Sequence, residues 1–117
     1  RSCGYAPHSL LFQSAAAIIQ HGGVGTTGQA LRAGKPQLVV PHMGDQNDHG
    51  HRIARLGAGL RLRADRFSAA RATRRIGCLL RDPKYSAVAA EIARCMADEN
   101  GADAAADAIA QALDRTA

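Results

Sequence analysis

The stretch Gln20-His21-Gly22-Gly23-Val24-Gly25-Thr26-Thr27-Gly28-Gln29-Ala30-Leu31 leaves this chain few ways to fold. The apolar run Ala15-Ala16-Ala17-Ile18-Ile19 leads into it without alternation and ends in β-branched residues, the pattern of a strand buried on both faces. Glycines at 22, 23 and 25 then let the backbone turn sharply and approach a ligand with no Cβ in between. Thr26 and Thr27 supply hydroxyls where a helix is expected to start. Ala30, Leu31 and Ala33 give that helix an apolar side, and Gly34 and Pro36 end it. Strand, glycine turn and helix N-terminus together present free backbone N–H groups and a positive dipole end to an anion. The pattern is not a Walker loop, because no Lys-Ser/Thr pair follows the last glycine, nor is it the dinucleotide G-x-G-x-x-G. The ligand expected here is a phosphate.

The next segment adds a second half to the site. Leu38-Val39-Val40 reads as another buried strand, closed by Pro41, and the polar loop after it ends in Asp45-Gln46. In open parallel sheets the C-terminal ends of the strands share one rim, and ligands bind there. His21 and Asp45 therefore fall on the same rim. A carboxylate beside an amide offers acceptors and donors in a fixed fork that suits sugar hydroxyls. A phosphate seat next to a sugar seat points to a sugar nucleotide.

The order His-Gly-Gly-x-Gly-Thr, Ala-Leu-x-Ala-Gly-x-Pro, strand, Pro and Asp-Gln resembles the C-terminal donor-binding motif of the GT-B inverting UDP-glycosyltransferases. Pro7-His8-Ser9-Leu10-Leu11-Phe12 is most similar to their bacterial antibiotic and sterol branch. The resemblance spans essentially the whole chain and is strongest over residues 4–60. It implies that His21, Gly23, Gly25, Thr26 and Thr27 hold the diphosphate. Gln29, where many members have Glu, would bind the ribose, and Asp45 and Gln46 the sugar. It also implies a UDP- or dTDP-sugar substrate with no metal and no further cofactor. No catalytic residue is expected in this chain, since the family's His base lies in an N-terminal domain. Plant members stack the base on a Trp and bind it with a nearby Gln; those positions are Cys3 and Ala6 here, which leaves the base open. Tyr5 either takes over that contact or belongs to the core.

The net charge of +5 raises nucleic acid as a partner. However, the basic excess lies mostly between Arg61 and Lys84, and the last third is acidic through Glu91, Asp98, Glu99, Asp103, Asp107 and Asp114. No aromatics interleave with the arginines for base stacking, so a solvated basic helix is expected and no nucleic acid. His42, Asp45, Asp48, His49 and His51 look metal-like as a list. Asp48 is expected instead to cap a helix from His49 to Leu56, with His49 and His51 on different faces, so no metal is expected. Cys3, Cys78 and Cys95 are scattered and odd in number, as in a reducing compartment. With no long apolar run and no leader visible, the expected location is cytoplasmic and no transmembrane segment is expected.

At 117 residues the chain is one small domain or part of one, with a core of Ala, Leu, Ile and Val, since aromatics are only 3%. A short strand is expected near Cys3 to Ala6, then a Pro7 turn and a helical turn through Phe12. Gly57 should end the helix carrying Ile53 and Leu56, and Gly59-Leu60-Arg61-Leu62 reads as the last strand. Ser68 can cap a helix with Ala72, Ile76, Leu79 and Leu80 on its apolar side. Asp82-Pro83 opens another, striped by Tyr85, Val88, Ala89, Ile92 and Met96 and ended by Gly101. Ala105, Ile109, Ala112 and Leu113 give a final amphipathic helix. The fold class is α/β, the C-terminal half of a Rossmann-like doubly wound parallel sheet (a GT-B C-terminal domain) with a helical tail. It divides into strand and turn over 1–14, donor motif over 15–46 and scaffold over 47–117.

By the resemblance, the strand order is 3-2-1-4-5-6, with the third strand at residues 4–6 and the fourth to sixth at Ala16, Leu38 and Gly59. The first two are not expected in this chain, so the strand ending at Ile19 becomes an exposed apolar edge of the kind that pairs with a second copy. The expected function is the donor-binding part of a metal-independent inverting glycosyltransferase. It would move a hexose to a hydroxyl of a small lipophilic or natural-product acceptor, held by an N-terminal domain without which this chain is inactive. A sugar-nucleotide epimerase of similar architecture and a non-catalytic nucleotide-sugar-binding fragment are the alternatives.

Overall fold

The structure, a computed structural model, describes residue 2 and residues 4–116. Helix α1 (His8–Ser14) precedes strand β1 (Ile18–Gln20), helix α2 (Val24–Arg32), strand β2 (Gln37–Val39), helix α3 (Gln46–Leu56) and strand β3 (Gly59–Arg61). A 3-10 turn (Ala64–Arg66) leads to helices α4 (Ala69–Arg81), α5 (Pro83–Met96) and α6 (Gly101–Thr116).

The three strands form a parallel sheet in the order β1-β2-β3, with Ile19 level with Leu38 and Leu38 level with Leu60. Parallel strands need helical crossovers, and these cover the central strand on both sides. Successive residues of β2 feed opposite layers. Leu38 packs with Val40, Leu62, Ala72 and Leu79 beneath α4. Val39 packs with Ile53 and Ala58, against Leu31, Val88 and Ile92 of α2 and α5. This is the doubly wound layering expected, and the expected helical tail follows it.

Glycines set the distances between layers. A Cβ at Gly50 would lie 3.2 Å from Arg61 Cδ and 3.3 Å from Val39 Cγ1, so α3 lies closely on the sheet there. Gly57, at φ 78°, ends α3 in the left-handed conformation, as expected. Ser68 caps α4 by accepting from the Arg71 N–H, and Asp82 caps α5 by accepting from the Lys84 N–H with Pro83 following it. Arg32 of α2 donates to the carbonyls of Met96 and Glu99, which neutralises the end of α5.

Several expectations fail, each for a physical reason. Gly4 to Ala6 lie outside the sheet, and Cys3 lies outside the described residues. β1 is buried on one face only: Ile18 and Gln20 are covered, whereas Ile19 is 55% exposed because α4 lies over β2 and β3 and not over the edge strand. The edge position of β1 is as expected. Leu80 is exposed rather than on the packed side of α4. Gly101 begins α6 instead of ending α5, which stops at Met96. No described residue of α6 is buried, and its Ile109 and Leu113 are exposed. Among the described residues no helix is long and apolar enough to cross a membrane.

Gly59 tests the sheet. A Cβ there would fall 2.1 Å from the Gln37 carbonyl oxygen and 2.8 Å from Ile53 Cγ2, a clash with the backbone of the central strand and with a buried side chain. Gly59→Ala is expected to destabilise the fold by about 3 kcal/mol or more, the upper end for overpacking, as read by urea unfolding. An unchanged midpoint would contradict this packing.

Candidate functional site

The C-terminal ends of β1 and β2 and the N-termini of α2 and α3 form one rim. Helix α2 starts at Val24 with Gly23 as its N-cap, and no side chain caps it. The N–H of Thr27 is the first to bond back, to Gly23 O at 2.9 Å. The N–H groups of Val24, Gly25 and Thr26 therefore have no helical acceptor and stand at the positive end of the helix dipole. Gly25 is exposed, with open space where a Cβ would be. It lies inside the first turn of α2, rather than in the turn before the helix, because Gly23 already serves as the N-cap.

The exposed His21 ring rests on Gly23, its Nε2 2.8 Å from where a Cβ of residue 23 would stand, so a larger residue there would displace the ring from this position. His21 and Gly23 thus meet at the mouth of α2, with Thr26 half-buried beside them. Gln29 is exposed four residues after Gly25, on the same side of the helix. Thr27 departs from the expectation that its hydroxyl faces the anion. It is buried, and its Oγ1 accepts from Gln20 Nε2 at 3.0 Å, because the helix starts earlier than expected and turns this position inward.

The second loop closes on itself. Gly44, at φ 54°, turns the chain, and Gln46 Oε1 accepts from the N–H groups of His42 (2.9 Å) and Met43 (3.2 Å). The amide NH2 of Gln46 is left to donate outward. Asp45 is exposed at the N-cap of α3 and makes no capping bond. Asp48 is therefore not the cap: α3 begins at Gln46, and Asp48 lies one turn before Arg52, with which it pairs at 2.6 Å. The hydrogen bond from Arg52 holds the Asp48 carboxyl below its ordinary value. Among the described residues no three His, Cys, Asp or Glu side chains are placed to hold a metal ion.

Gly22 joins the two loops. Its φ of 103° is open to glycine, and a Cβ there would lie 2.8 Å from the Gln46 carbonyl oxygen. Its own carbonyl accepts from His49 Nδ1 at 2.6 Å; since a carbonyl can only accept, Nδ1 carries the proton. His21 and His42 border a depression of about 400 Å³ together with Ile19, Gln20, Val40, Ala64 and Phe67. Tyr5 is 85% exposed, so it is no part of the core. Two contributors escaped the sequence reading, Gln20 and His49. A polar residue ending an apolar strand was the available signal for Gln20. Nothing local signals His49, whose partner lies 27 positions earlier.

The sequence profile of the erythromycin biosynthesis protein CIII-like C-terminal domain matches residues 1–115. A sterol 3-beta-glucosyltransferase of Yarrowia lipolytica is 37% identical over 108 residues, 92% of this chain and 7% of that protein. The glycosyltransferase VinC, solved in complex with dTDP, superposes with a TM-score of 0.77 at 34% identity, over 80% of this chain and 24% of its own. The calicheamicin glycosyltransferase CalG4 superposes with a TM-score of 0.86 at 27% identity, over 97% of this chain and 30% of its own. The chain thus spans less than a third of each of these three proteins.

If Gly22 joins the loops as described, Gly22→Ala strains the backbone and pushes α3 away. The expected loss is about 1–3 kcal/mol of stability, the usual cost of a strained left-handed residue, with faster amide exchange at His42 and Met43. Unchanged exchange there would refute the junction.

Proposed function

Because the chain belongs to the family of erythromycin biosynthesis protein CIII-like C-terminal domains, we propose that it is the donor-binding part of a metal-independent, inverting GT-B glycosyltransferase. The observation that carries this reading is the uncapped N-terminus of α2 with the His21 ring lying at its mouth. The donor is a uridine or thymidine diphosphate hexose, and the dTDP held by VinC supports a nucleotide of this class. The N–H groups of Val24, Gly25 and Thr26, the Thr26 hydroxyl and His21 take the diphosphate. Gln29 accepts from a ribose hydroxyl. Asp45 accepts from the sugar while the Gln46 amide donates to it.

In the reaction, an acceptor hydroxyl attacks the anomeric carbon. Its proton passes to a base supplied from outside these residues, and the bond from the anomeric carbon to the diphosphate oxygen breaks. Negative charge grows on the departing diphosphate, where preformed N–H dipoles stabilise it without reorganising. The sterol glucosyltransferase and the calicheamicin enzyme among the relatives support a lipophilic or natural-product acceptor. A sugar-nucleotide epimerase or a purely binding fragment would use the same seat, but the glycosyltransferase names of these relatives favour transfer.

Calorimetry on the complete protein with chelator present tests the diphosphate seat. His21→Ala is expected to weaken nucleoside diphosphate binding by about 1.5–3 kcal/mol, the range for a hydrogen bond to a charged group. Binding that needs Mg²⁺, or that ignores the substitution, contradicts the assignment. Asp45→Ala separates the sugar from the nucleotide. It should weaken the intact donor by about 1.5–3 kcal/mol and leave the free diphosphate unaffected. Equal losses for both ligands would make the 42–46 loop structural.

A further inference from the structure

We propose that Gln20, a residue without an expected role in the donor site, is the positioning residue that sets the geometry of both the diphosphate turn and the sugar loop. The inference rests on the donor-binding reading above. Gln20 is 8% exposed, and each polar atom of its amide is committed. Oε1 accepts from the Gly22 N–H at 2.6 Å, while Nε2 donates to Thr27 Oγ1 at 3.0 Å and to Gln37 Oε1 at 2.8 Å. The Gly22 N–H can only donate, so Oε1 must face it, and both Nε2 hydrogens are then directed at acceptors.

That orientation explains an otherwise costly feature of the core. Gln37 is fully buried in the central strand, where an apolar residue is ordinary. Its Oε1 must face Gln20, which leaves its own Nε2 buried without a partner. A buried donor left unpaired is tolerated because the other end of the same amide holds Gln20 in place. The arrangement spends polarity in the core to fix one side chain at the edge strand.

The consequence reaches the ligand at two points. Through Thr27, Gln20 fixes the first turn of α2, whose free N–H groups face the anion. Through the Gly22 N–H, it fixes the residue whose carbonyl receives His49 and whose α-carbon abuts Gln46. Gln20 touches no ligand group in this scheme. It determines where His21, the α2 N-terminus and the Asp45-Gln46 loop stand relative to one another.

The test uses the complete protein and three variants, Gln20→Met, Gln37→Met and Leu79→Ala. Leu79 lies on the buried side of α4, near its C-terminal end, and serves as the stability control. Nucleoside diphosphate and intact donor binding are measured by calorimetry well below each variant's melting temperature. Gln20→Met should weaken both ligands by about tenfold, since the hydrogen bonds that hold the turn are gone. The Gly22 amide resonance, read in protein with isotope-labelled glycine, should move upfield as its short hydrogen bond is lost. Leu79→Ala should lower the melting temperature yet keep both affinities within about twofold, as expected of an independent site. Gln37→Met keeps the Gly22 bond but frees the amide of Gln20 to rotate, and a loss of about threefold is expected; it decides the matter alone should Gln20→Met not fold. Wild-type affinity in either glutamine variant, or losses no greater than the Leu79→Ala protein shows, would overturn the proposal. Failure of the wild-type protein to bind any nucleoside diphosphate would instead overturn the donor-binding reading itself.

Discussion

The peptide at Gly22 is held on three sides, and the rest of the rim depends on it. Its N–H goes to Gln20, its carbonyl receives His49, and the bare α-carbon lies against the backbone of Gln46. One residue therefore joins the end of β1 to the start of α3, although they are far apart in sequence. Remove the glycine and a side chain must enter space that the Gln46 backbone fills. The positive φ adds to this, since a residue with a Cβ is strained there even in open space.

The sheet beneath serves this junction by bringing the two strand ends to the same level. Parallel pairing of Ile18–Gln20 with Gln37–Val39 sets their C-terminal ends side by side, and the crossover helix α2 begins where β1 stops. The helix N-terminus is then held by packing and by the hydrogen bond from Gln20 to Thr27, with no side-chain cap. An uncapped N-terminus is ordinarily unfavourable, because several N–H groups lack acceptors. Here that deficit leaves the N–H groups of Val24, Gly25 and Thr26 free at the positive end of the helix dipole. At Gly23, Ser or Asp would cap the helix, but its Cβ would displace the His21 ring from where it lies.

Polarity inside the domain follows the same logic. Gln20, Thr27 and Gln37 form a buried chain of amides and a hydroxyl within an otherwise aliphatic core. Such networks are costly when incomplete, and this one leaves Gln37 Nε2 without a partner. It is placed directly behind the N-terminal turn of α2. The opposite layer, beneath α4, has no such group and consists of Leu38, Val40, Leu62, Ala72 and Leu79. That layer is packed by shape alone.

The sequence by itself determined the α/β class, the strand–glycine–helix unit, the second strand with its Asp-Gln loop, the cap at Ser68 and the helix start at Asp82-Pro83. These features depend on local chemistry: an unalternated apolar run, glycine's freedom at φ 103° and 67°, side-chain oxygens ahead of helices, and Pro83 in a first turn. Tertiary structure alone decided which of the candidate site residues reach the rim and which are buried. Thr26 and Thr27 are neighbours in sequence, yet one lines the rim and the other is buried against Gln20, because the start of α2 at Val24 fixes the helical phase. Asp48 looked like a cap until Asp45 took that place and left it to Arg52. Ile19 has the composition of a buried strand, but burial depends on what covers a face, and α4 does not extend to β1. His49 meets Gly22 across the rim, and no local pattern encodes a contact that exists only once two crossovers have closed.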